Sequence, residues 1–398
     1  MKIVQIEDFF HPDAGYQINV LSKVLVEHGH DVTVVCASNL DIFPESLTSF
    51  FGVDDIESRD AEFTRRHGVK IHRVEATGYY SGRTFYSSRL FREIDSLNPD
   101  ILFVHGNDTI PGMRYTMRAR QMSYPLIMDS HMLSVATNNP LSGIYHAIYR
   151  QVFARRINHD DLTVIRVQDD PYVIDELGVK ESNAPYIGFG TDTGLFHPSS
   201  EVRILERRKL GIAEEDTVVL YAGKLDESKG GTLLATAIME SFDDDSLVFV
   251  IAGNPSGPKA GELVDMLSKS KNRVITLPTH KYPELPALYQ MADVAVYPAQ
   301  CSLSFYDVQA SGLPVIVDDG TQVNTDRVSH GNGLQFQCGS AVDLRRCISA
   351  YSQLDVFARE KMKNAALAYI GNGFSYDDVA RKYEICFEKT VNSFKKGK

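Results

Sequence analysis

Short apolar segments alternate with segments of helical periodicity along the whole chain. The apolar segments are rich in Val, Ile and Leu and lack polar alternation, as expected for strands covered on both faces. A strand followed by a helix, repeated many times, predicts a parallel α/β architecture with right-handed crossovers. The predicted strands are residues 3–6, 32–36, 71–74, 101–105, 126–129 and 162–167 in the first half, and 218–222, 247–252, 274–277, 294–297, 315–317 and 334–337 in the second.

The length of 398 residues exceeds what one ordinary hydrophobic core holds. The α/β series restarts after residues 184–200, an irregular segment with three glycines and two prolines, which is typical of a domain boundary. The sequence therefore predicts a doubly wound domain over residues 1–188 and a second over residues 189–375. An amphipathic helix is predicted over residues 375–394, and segment 376–398 either follows the second domain or crosses back to the first.

The carboxyl edges of the predicted sheets are the expected ligand-binding regions. In open parallel sheets, ligands bind outside the carboxyl ends of the strands. If two such edges face each other across an interdomain cleft, helix N-termini are directed into it, and this arrangement suits a diphosphate.

Composition excludes several classes of function. The net charge of −11 argues against a broad nucleic-acid interface. The five cysteines form no C-x-x-C pair, which favours reduced thiols in a cytoplasmic protein and argues against a Cys₄ zinc site. No apolar run approaches the roughly 18 residues that span a bilayer. The acidic residues near the amino terminus argue against a signal peptide.

Three loops at predicted strand ends are candidates for ligand binding. Gly15 is either a turn glycine or a point where a ligand approaches backbone amides. Lys224 and Lys229 are either solvated surface residues or a site for a phosphate dianion, and their place at the functional edge of a sheet favours the site. Asp307 lies near a predicted helix start, where a carboxylate is either a cap or a ligand contact.

Two further features have structural and functional interpretations. His131 follows a predicted strand and is either a structural residue or a ligand contact. Asp129 and His131 are not interpreted as a catalytic dyad, because no nucleophile accompanies them. The aromatic and basic run at residues 145–156 suits a membrane-surface helix, but aromatic residues at helical spacing favour a place in the core.

Six segments, in this order along the chain, resemble the motifs of family 4 glycosyltransferases. Each match is modest, but six in the family's order are specific, and Lys224 stands where the family usually has arginine. The family motifs, each followed by the residues of this chain that align with it, are these: G-H-(D/E)-V-T-V, within 27–35; N-P-D-(V/I), 98–101; the interdomain signature V-P-N-G-V-D-x-x-x-F-x-P, 186–198; G-R-L-x-x-x-K-G, 223–230; L-P-x-L-Y-x-x-A-D-V, 285–294; and E-A-x-x-x-G-x-P-V-I, 307–316.

The resemblance implies a GT-B fold, with two Rossmann-like domains facing across a cleft. It implies a retaining, metal-independent hexosyltransferase that uses a nucleoside-diphosphate sugar, in bacterial cell-surface polysaccharide or glycoconjugate synthesis. The carboxyl-terminal domain would bind this donor, and the amino-terminal domain a glycan or lipid-linked acceptor. The implied catalytic residues are Lys224, Lys229 and His131. The implied donor-binding residues are Gly15, Gly223, Gly253, Ser304, Phe305 and Asp307.

The sequence departs from the family in its E-x(7)-E pair. The second Glu is replaced by Asp307, and the position of the first holds Ala299. The G-F-G of this loop becomes Ser-Phe-Tyr at residues 304–306. The resemblance assigns Asp307 to the nucleotide ribose and the first Glu to the donor sugar. The candidates to replace that first Glu are Gln300, Ser302 and Ser304.

Two alternative functions stay open at this point. One is a nucleotide-sugar 2-epimerase on the same fold, and the other is a non-catalytic nucleotide-sugar-binding protein. The base, the sugar, the acceptor and the oligomeric state are not specified by the sequence. We expect no cofactor, no metal and no nucleic-acid partner, and a location in the cytoplasm, either free or peripheral on the inner face of the plasma membrane.

Overall fold

The computed structural model of the protein describes residues 1–133, 142–299 and 301–396. The chain forms two compact units. The first comprises Met1–Phe189 together with Tyr376–Lys398, and the second comprises Gly190–Ser375. The second unit is therefore one continuous segment, and the first is assembled from two.

The first unit is organised around a six-stranded parallel sheet. The strands of this unit are β1 (Lys2–Ile6), β2 (Asp31–Ala37), β3 (Lys70–Val74), β4 (Ala76–Tyr80), β5 (Arg83–Tyr86), β6 (Ile101–Val104), β7 (Leu126–Ser130) and β8 (Thr163–Arg166). The sheet order is β3-β2-β1-β6-β7-β8, and Ile3 of β1 pairs with Val32 on one side and Ile101 on the other. All six strands predicted for this half of the chain are present, in the order of a doubly wound sheet.

Strands β4 and β5 form an antiparallel hairpin that the sequence analysis does not predict. Its turn residues Ser81 and Gly82 both have positive φ, 51° and 78°, as a tight two-residue hairpin turn requires. Tyr80 at the end of β4 is 77% exposed. A short hairpin with so little buried surface leaves only a weak hydrophobic pattern in the sequence.

Helices cover the first sheet. They are α1 (Gln17–Glu27), α2 (Glu45–Phe51), α3 (Ile56–His67), α4 (Arg89–Leu97), α5 (Ile110–Arg118), α6 (Ser142–Tyr149), α7 (Arg155–His159) and α8 (Tyr172–Asp175). Helix α5 begins where the side chain of Thr109 accepts a hydrogen bond from the backbone of Gly112, with Pro111 in the first turn.

A π-helical segment, Arg150–Ala154, connects α6 to α7. Tyr149 at the end of α6 is fully buried in the core of the first unit. Tyr145 and Phe153 pack against that core and are partly buried. The core interpretation of these aromatic residues is therefore confirmed.

The second unit repeats the plan of the first. Its strands are β9 (Thr217–Ala222), β10 (Leu247–Ala252), β11 (Arg273–Leu277), β12 (Val294–Tyr297), β13 (Val315–Asp318) and β14 (Gly333–Phe336). They form a parallel sheet in the order β11-β10-β9-β12-β13-β14. Every residue of β10 is buried, in agreement with its uninterrupted apolar sequence. The six strands predicted for this half are present.

Several helices of the second unit begin at side-chain caps. The helices are α9 (Ser200–Lys209), α10 (Gly231–Ala237), α11 (Ala260–Ser268), α12 (Leu285–Met291), α13 (Ser304–Ala310), α14 (Gln322–Val328), α15 (Ala341–Ser352) and α16 (Val356–Gly371). The side chains of Ser199, Thr321, Ser340 and Asp355 each accept a hydrogen bond from the first turn of the helix that follows. Among the described residues, no helix is long and apolar enough to cross a membrane.

The last helix, α17 (Tyr376–Lys396), packs on the first unit. Its apolar stripe Val379, Tyr383 and Phe387 is buried, as the spacing of these residues predicts. The side-chain amide of Gln17, in α1, donates a hydrogen bond to the hydroxyl of Tyr383 over 2.6 Å. A buried polar contact thus fixes α17 against α1.

A second polar contact joins α17 to the end of α1. The ring nitrogens of His28 lie 2.8 Å from a carboxylate oxygen of Asp377 and 2.8 Å from one of Glu384. Burial acts to lower the pKa of His28, but the hydrogen bonds that its ring donates to the two carboxylates outweigh it, and the pKa is raised. His28 therefore binds its proton more tightly in the folded protein than in the unfolded chain.

Candidate functional site

The loop after β9 carries the two predicted catalytic lysines of the second unit. Asp226 organises this loop: one carboxylate oxygen accepts hydrogen bonds from the Ser228 hydroxyl (2.7 Å) and the Lys229 backbone (3.1 Å). Its other oxygen lies 2.7 Å from the Lys224 ammonium nitrogen. Burial acts to raise the pKa of Asp226, but these hydrogen bonds lower it below its ordinary value. Asp226 is therefore a carboxylate, and it fixes both the turn and Lys224.

Lys224 and Lys229 differ in their surroundings. The side chain of Lys224 is 66% exposed and pairs with Asp226, so an incoming anion would compete with that carboxylate. Lys229 is half-buried, and its burial lowers its pKa. Because desolvation strengthens electrostatic interactions, the ammonium group of Lys229 is better placed to bind an anion strongly.

Gly223 and Gly253 bring two backbone segments into close approach beside this loop. The backbone N–H of Gly223 donates to the carbonyl of Ala252 over 3.0 Å. A Cβ atom on Gly253 would lie 2.0 Å from the carbonyl oxygen of Gly223. Glycine at position 253 is thus required by the packing of the carboxyl ends of β9 and β10, whatever ligand binds there.

Asp307 lies in the first turn of α13, where the sequence places it. Leu303 occupies the N-cap position, and no side chain caps this helix. The carboxylate of Asp307 instead accepts a hydrogen bond of 2.7 Å from the hydroxyl of Thr191. Burial raises the pKa of Asp307 to about 7, although this hydrogen bond acts in the opposite direction. The helix-cap interpretation is therefore wrong, and the ligand interpretation stays a prediction.

The other predicted residues of this segment differ in accessibility. The Ser304 hydroxyl hydrogen-bonds to the hydroxyls of Tyr297 (2.9 Å) and Ser302 (2.7 Å). The ring of Phe305 is fully buried, which leaves only its backbone to contact a ligand. Gln300, one candidate to replace the missing Glu, lies outside the described residues. Among the residues that the structure describes, the hydroxyls of Ser302 and Ser304 are therefore the candidates to replace that Glu.

Gly15 and His131 belong to the first unit. Gly15 lies in the loop between β1 and α1, directly before the N-cap residue Tyr16, as the sequence predicts. His131 follows β7, and 41% of its side chain is exposed. Nε2 of His131 lies 3.2 Å from Oδ2 of Asp129, which is fully buried. Gly15 and His131 thus both lie at the carboxyl edge of the first sheet.

His105 is the partner that the sequence analysis misses. It follows β6, its side chain is buried, and its Nδ1 lies 2.9 Å from the same Oδ2 of Asp129. Strands β6 and β7 are neighbours, with Val104 opposite Met128, so residues just beyond those positions meet. The order of the strands, rather than any local motif, is the signal that would have identified His105.

One ring nitrogen of each histidine and one carboxylate oxygen of Asp129 all lie within 4.8 Å of one another. Both imidazoles face the same carboxylate oxygen, as in a hydrogen-bonded triad. Burial acts to raise the pKa of Asp129, but the charges of His131 and His105 lower it strongly. The arrangement is therefore that of the Asp129 carboxylate accepting hydrogen bonds from two imidazoles.

Two further acidic residues lie near this triad. Burial raises the pKa of Glu7 despite the opposing effect of His105 and His131. Burial also raises the pKa of Asp108, although Arg83 acts against it. The carboxyl edge of the first sheet is therefore rich in partly desolvated titratable groups, which is common at functional sites.

Two family models match this chain in succession. Residues 14–166 match the glycosyl transferase 4-like domain, and residues 202–368 match the glycosyl transferases group 1 model. Over these two segments the chain is similar to glycosyltransferases of the family 4 type. The matches cover the second sheet and every strand of the first sheet except β1, and they include the loops that hold His131 and the two lysines.

Curated relatives match part of the chain. The D-inositol 3-phosphate glycosyltransferase of Corynebacterium aurimucosum is 29% identical over 253 residues, which cover 60% of this chain and 58% of that protein. The enzyme of the same name from Corynebacterium urealyticum is 32% identical over 275 residues, 64% of this chain and 57% of that protein. The chain thus spans less than two thirds of the length of these relatives.

Solved structures match over nearly the full chain. A glycosyltransferase from Rickettsia africae superposes with a TM-score of 0.73 at 15% identity, covering 98% of both chains. Anabaena HepE, solved in complex with UDP-glucose, superposes with a TM-score of 0.69 at 15% identity, covering 99% of this chain and 100% of that one. The α/β fold of the GT-B type, with two doubly wound parallel sheets, is therefore confirmed.

Proposed function

We propose that this chain is a retaining glycosyltransferase that moves a hexosyl unit from a nucleoside-diphosphate sugar to an acceptor hydroxyl. The observation that carries the proposal is the loop after β9. It places Lys224 and Lys229 beside glycine backbone at the carboxyl edge of a parallel sheet. Such an edge is where phosphorylated ligands bind in doubly wound sheets, and the segment lies within the match to the glycosyl transferases group 1 model.

The donor is proposed to bind the second unit. Lys224 and Lys229 would contact the diphosphate, and Asp307 would accept hydrogen bonds from the ribose hydroxyls. Backbone groups at Gly223, Gly253, Ser304 and Phe305 would complete the donor site. Because Anabaena HepE was solved with UDP-glucose, UDP-glucose is the first donor to test.

The proposed reaction proceeds with retention at the anomeric carbon. The bond from this carbon to the diphosphate oxygen breaks, and a bond to the acceptor oxygen forms on the same face. The acceptor proton passes to the departing phosphate oxygen. Negative charge builds on the diphosphate as it leaves, and Lys224, Lys229 and backbone N–H groups near Gly15 would stabilise it. His131 would contact the substrate during transfer, and no divalent metal would be needed.

The acceptor is proposed to bind the first unit. We propose a glycan or lipid-linked acceptor, and a cytoplasmic protein either free or peripheral on the inner face of the plasma membrane. The curated relatives are named for D-inositol 3-phosphate, so this compound belongs in the acceptor screen. The matched models and curated relatives are glycosyltransferases, which does not favour the 2-epimerase alternative.

A donor screen followed by a transfer assay tests the proposal. Thermal shift is measured with UDP, GDP, ADP and their sugars, because ligand binding raises stability by RT ln(1 + [L]/Kd). The binding donor is then incubated with sugar phosphates and lipid-linked acceptors, with and without EDTA. We expect transfer with retained configuration that persists in EDTA. Epimerisation of the donor would instead identify the 2-epimerase. Saturable donor binding without turnover would identify the non-catalytic nucleotide-sugar-binding protein.

A further inference from the structure

A continuous chain of hydrogen bonds runs through the first unit and ends at His131. The side-chain amide of Gln5, in β1, donates to the Ser22 hydroxyl over 2.9 Å. Its carbonyl oxygen lies 2.9 Å from Nε2 of His105. Nδ1 of His105 and Nε2 of His131 then meet at Oδ2 of Asp129, at 2.9 and 3.2 Å. The first four side chains are buried, and His131 is the exposed end.

The orientation of Asp129 is fixed from both sides. Its Oδ1 accepts a hydrogen bond of 2.8 Å from the backbone N–H of Gly106, while Oδ2 faces the imidazoles. Gln5 and Asp129 both present acceptor oxygens to His105, so this ring bridges the two side chains and holds the carboxylate from the side opposite Gly106. The carboxylate of Asp129 therefore cannot rotate away from His131 without leaving buried partners unsatisfied.

This arrangement determines which nitrogen His131 presents. Nε2–H points to Asp129, so Nδ1 is the nitrogen left for a ligand. In the neutral ring Nδ1 is an acceptor, and in the charged ring it is a donor. Burial acts to lower the pKa of His131, but the charge of Asp129 outweighs it, and the pKa is raised. The other titratable groups near this ring are Glu7, Asp108 and His105.

We propose that Asp129 is a positioning residue for sugar transfer: it fixes the ring of His131, keeps the proton on Nε2, and so presents Nδ1 to the substrate. His105 is the counterpart that holds the carboxylate in place. This inference rests on the proposed function for its catalytic consequence, but the orientation of the ring can be measured without any substrate.

The first experiment is an NMR titration of histidine-labelled full-length protein. In Asp129→Asn the side chain of residue 129 has nearly the same shape but no charge, and its amide group no longer favours the Nε2–H form. We expect the midpoint of His131 to fall by about one pH unit or more, and the Nε2–H signature of the neutral ring to be lost. The matched control is Asp160→Asn, which alters a His159–Asp160 pair in the same unit whose imidazole is 70% exposed.

A second variant gives an effect of opposite sign. In His105→Gln the imidazole that shares Oδ2 of Asp129 is removed, so this oxygen interacts with His131 alone and we expect the midpoint of His131 to rise. This variant also tests the positioning role if Asp129→Asn does not fold. A His131 titration and tautomer that match the wild type in the folded variants would overturn the positioning role, regardless of any catalytic result.

The second experiment measures transfer with the donor identified in the screen. We expect Asp129→Asn to lower kcat roughly 10- to 100-fold with little change in the donor KM, and to shift the pH–rate profile in the direction of the NMR midpoint. An unchanged kcat and pH profile would overturn the catalytic part of the inference. Absence of transfer by the wild type itself would reject the proposed function, while the titration would still decide the role of Asp129.

Discussion

The hydroxyl of Thr191 donates a hydrogen bond to Oδ1 of Asp307 over 2.7 Å. The contact joins the first residues of the second unit to the first turn of α13. It satisfies one oxygen of a carboxyl group whose pKa burial raises to about 7. Asp307 is thus held by a residue distant in sequence, and its other interactions can be tested separately from this one.

Asp307→Asn should change how stability depends on pH. The pKa of Asp307 is about 7 in the folded protein and near 3.9 in an unfolded chain, so the acid loses stability as pH rises from about 4 to 7. Asn is neutral throughout and keeps an acceptor for Thr191. We expect equal free energies of unfolding near pH 4, and an advantage for Asn of about 1–2 kcal/mol at pH 8, allowing for partial exposure. Denaturant unfolding at both pH values measures this, and a difference independent of pH would contradict it.

The same variant tests the ribose role. A carboxylate accepts hydrogen bonds from two hydroxyls more strongly than an amide does. Asp307→Asn should weaken nucleoside-diphosphate affinity by about 1–2 kcal/mol, or roughly 5- to 30-fold. Calorimetric titration compares the wild type, Asp307→Asn and Asp307→Glu, with Thr191→Val as the control that keeps the carboxylate. Equal affinity in the first three proteins would remove Asp307 from the site.

Lys224→Ala and Lys229→Ala should both slow transfer. Loss of a charge-assisted contact to the leaving diphosphate costs about 2–4 kcal/mol, or roughly 30- to 1,000-fold in rate. We expect the larger loss at Lys229, because Lys224 is exposed and already pairs with Asp226. Steady-state kinetics of the folded variants measure the effect. Lys259→Ala, which removes a surface partner of Glu227, is the control and should be active; a normal rate in the Lys224 and Lys229 double variant would reject the assignment.

Gly253→Ala should destabilise the second unit. Its Cβ atom would lie 2.0 Å from the carbonyl oxygen of Gly223, so β9 or β10 must move at its carboxyl end. We expect a loss of about 1–3 kcal/mol in the free energy of unfolding. Gly261→Ala is the control, since nothing lies within 4 Å of its Cβ and it is in α11, where Ala is favoured by up to about 1 kcal/mol. Similar unfolding curves for the two variants would contradict the close approach.

The docking of α17 should weaken as pH rises. The pKa of His28 is raised in the folded protein, so its stabilising contribution is complete below the unfolded pKa of about 6.5 and is lost as pH rises through the folded pKa. Hydrogen exchange of the α17 amides, corrected for intrinsic rates, should show protection that decreases across this range. In His28→Gln this dependence should be reduced, whereas the control His280→Gln, at a partly exposed histidine of the second unit, should retain it. Equal pH dependence in all three proteins would rule out His28 as its source.

Both sheets are predictable because their strands are buried on two faces. Residues 247–252, all apolar and all buried, are an example. The hairpin β4–β5 is not predictable in this way, because it is short and only Ala76, Thr84 and Tyr86 of its strand residues are buried. The length and periodicity of α17 are also evident from the sequence, since Val379, Tyr383 and Phe387 form a regular stripe.

The candidate site is predictable only where one motif contains it. Lys224 and Lys229 lie in one short segment, so their common loop can be inferred from the chain itself. The contacts of Thr191 with Asp307 and of His105 with Asp129 join separate elements, and only the three-dimensional arrangement shows them. The sequence indicates Asp129 and His131 as separate residues but predicts no shared role for them, because their third partner, His105, lies on another strand and outside any local motif.

The division of the first unit between two segments has a consequence for protein synthesis. On the ribosome, the second unit emerges complete before α17 is made, because Tyr376 follows Ser375. During that interval the surface of α1 and of the adjoining sheet that α17 later covers stays exposed to solvent. Domains usually fold in the order in which they are translated. In this chain we expect the later unit to mature first, with the nascent amino-terminal sheet as the segment that most needs chaperone protection.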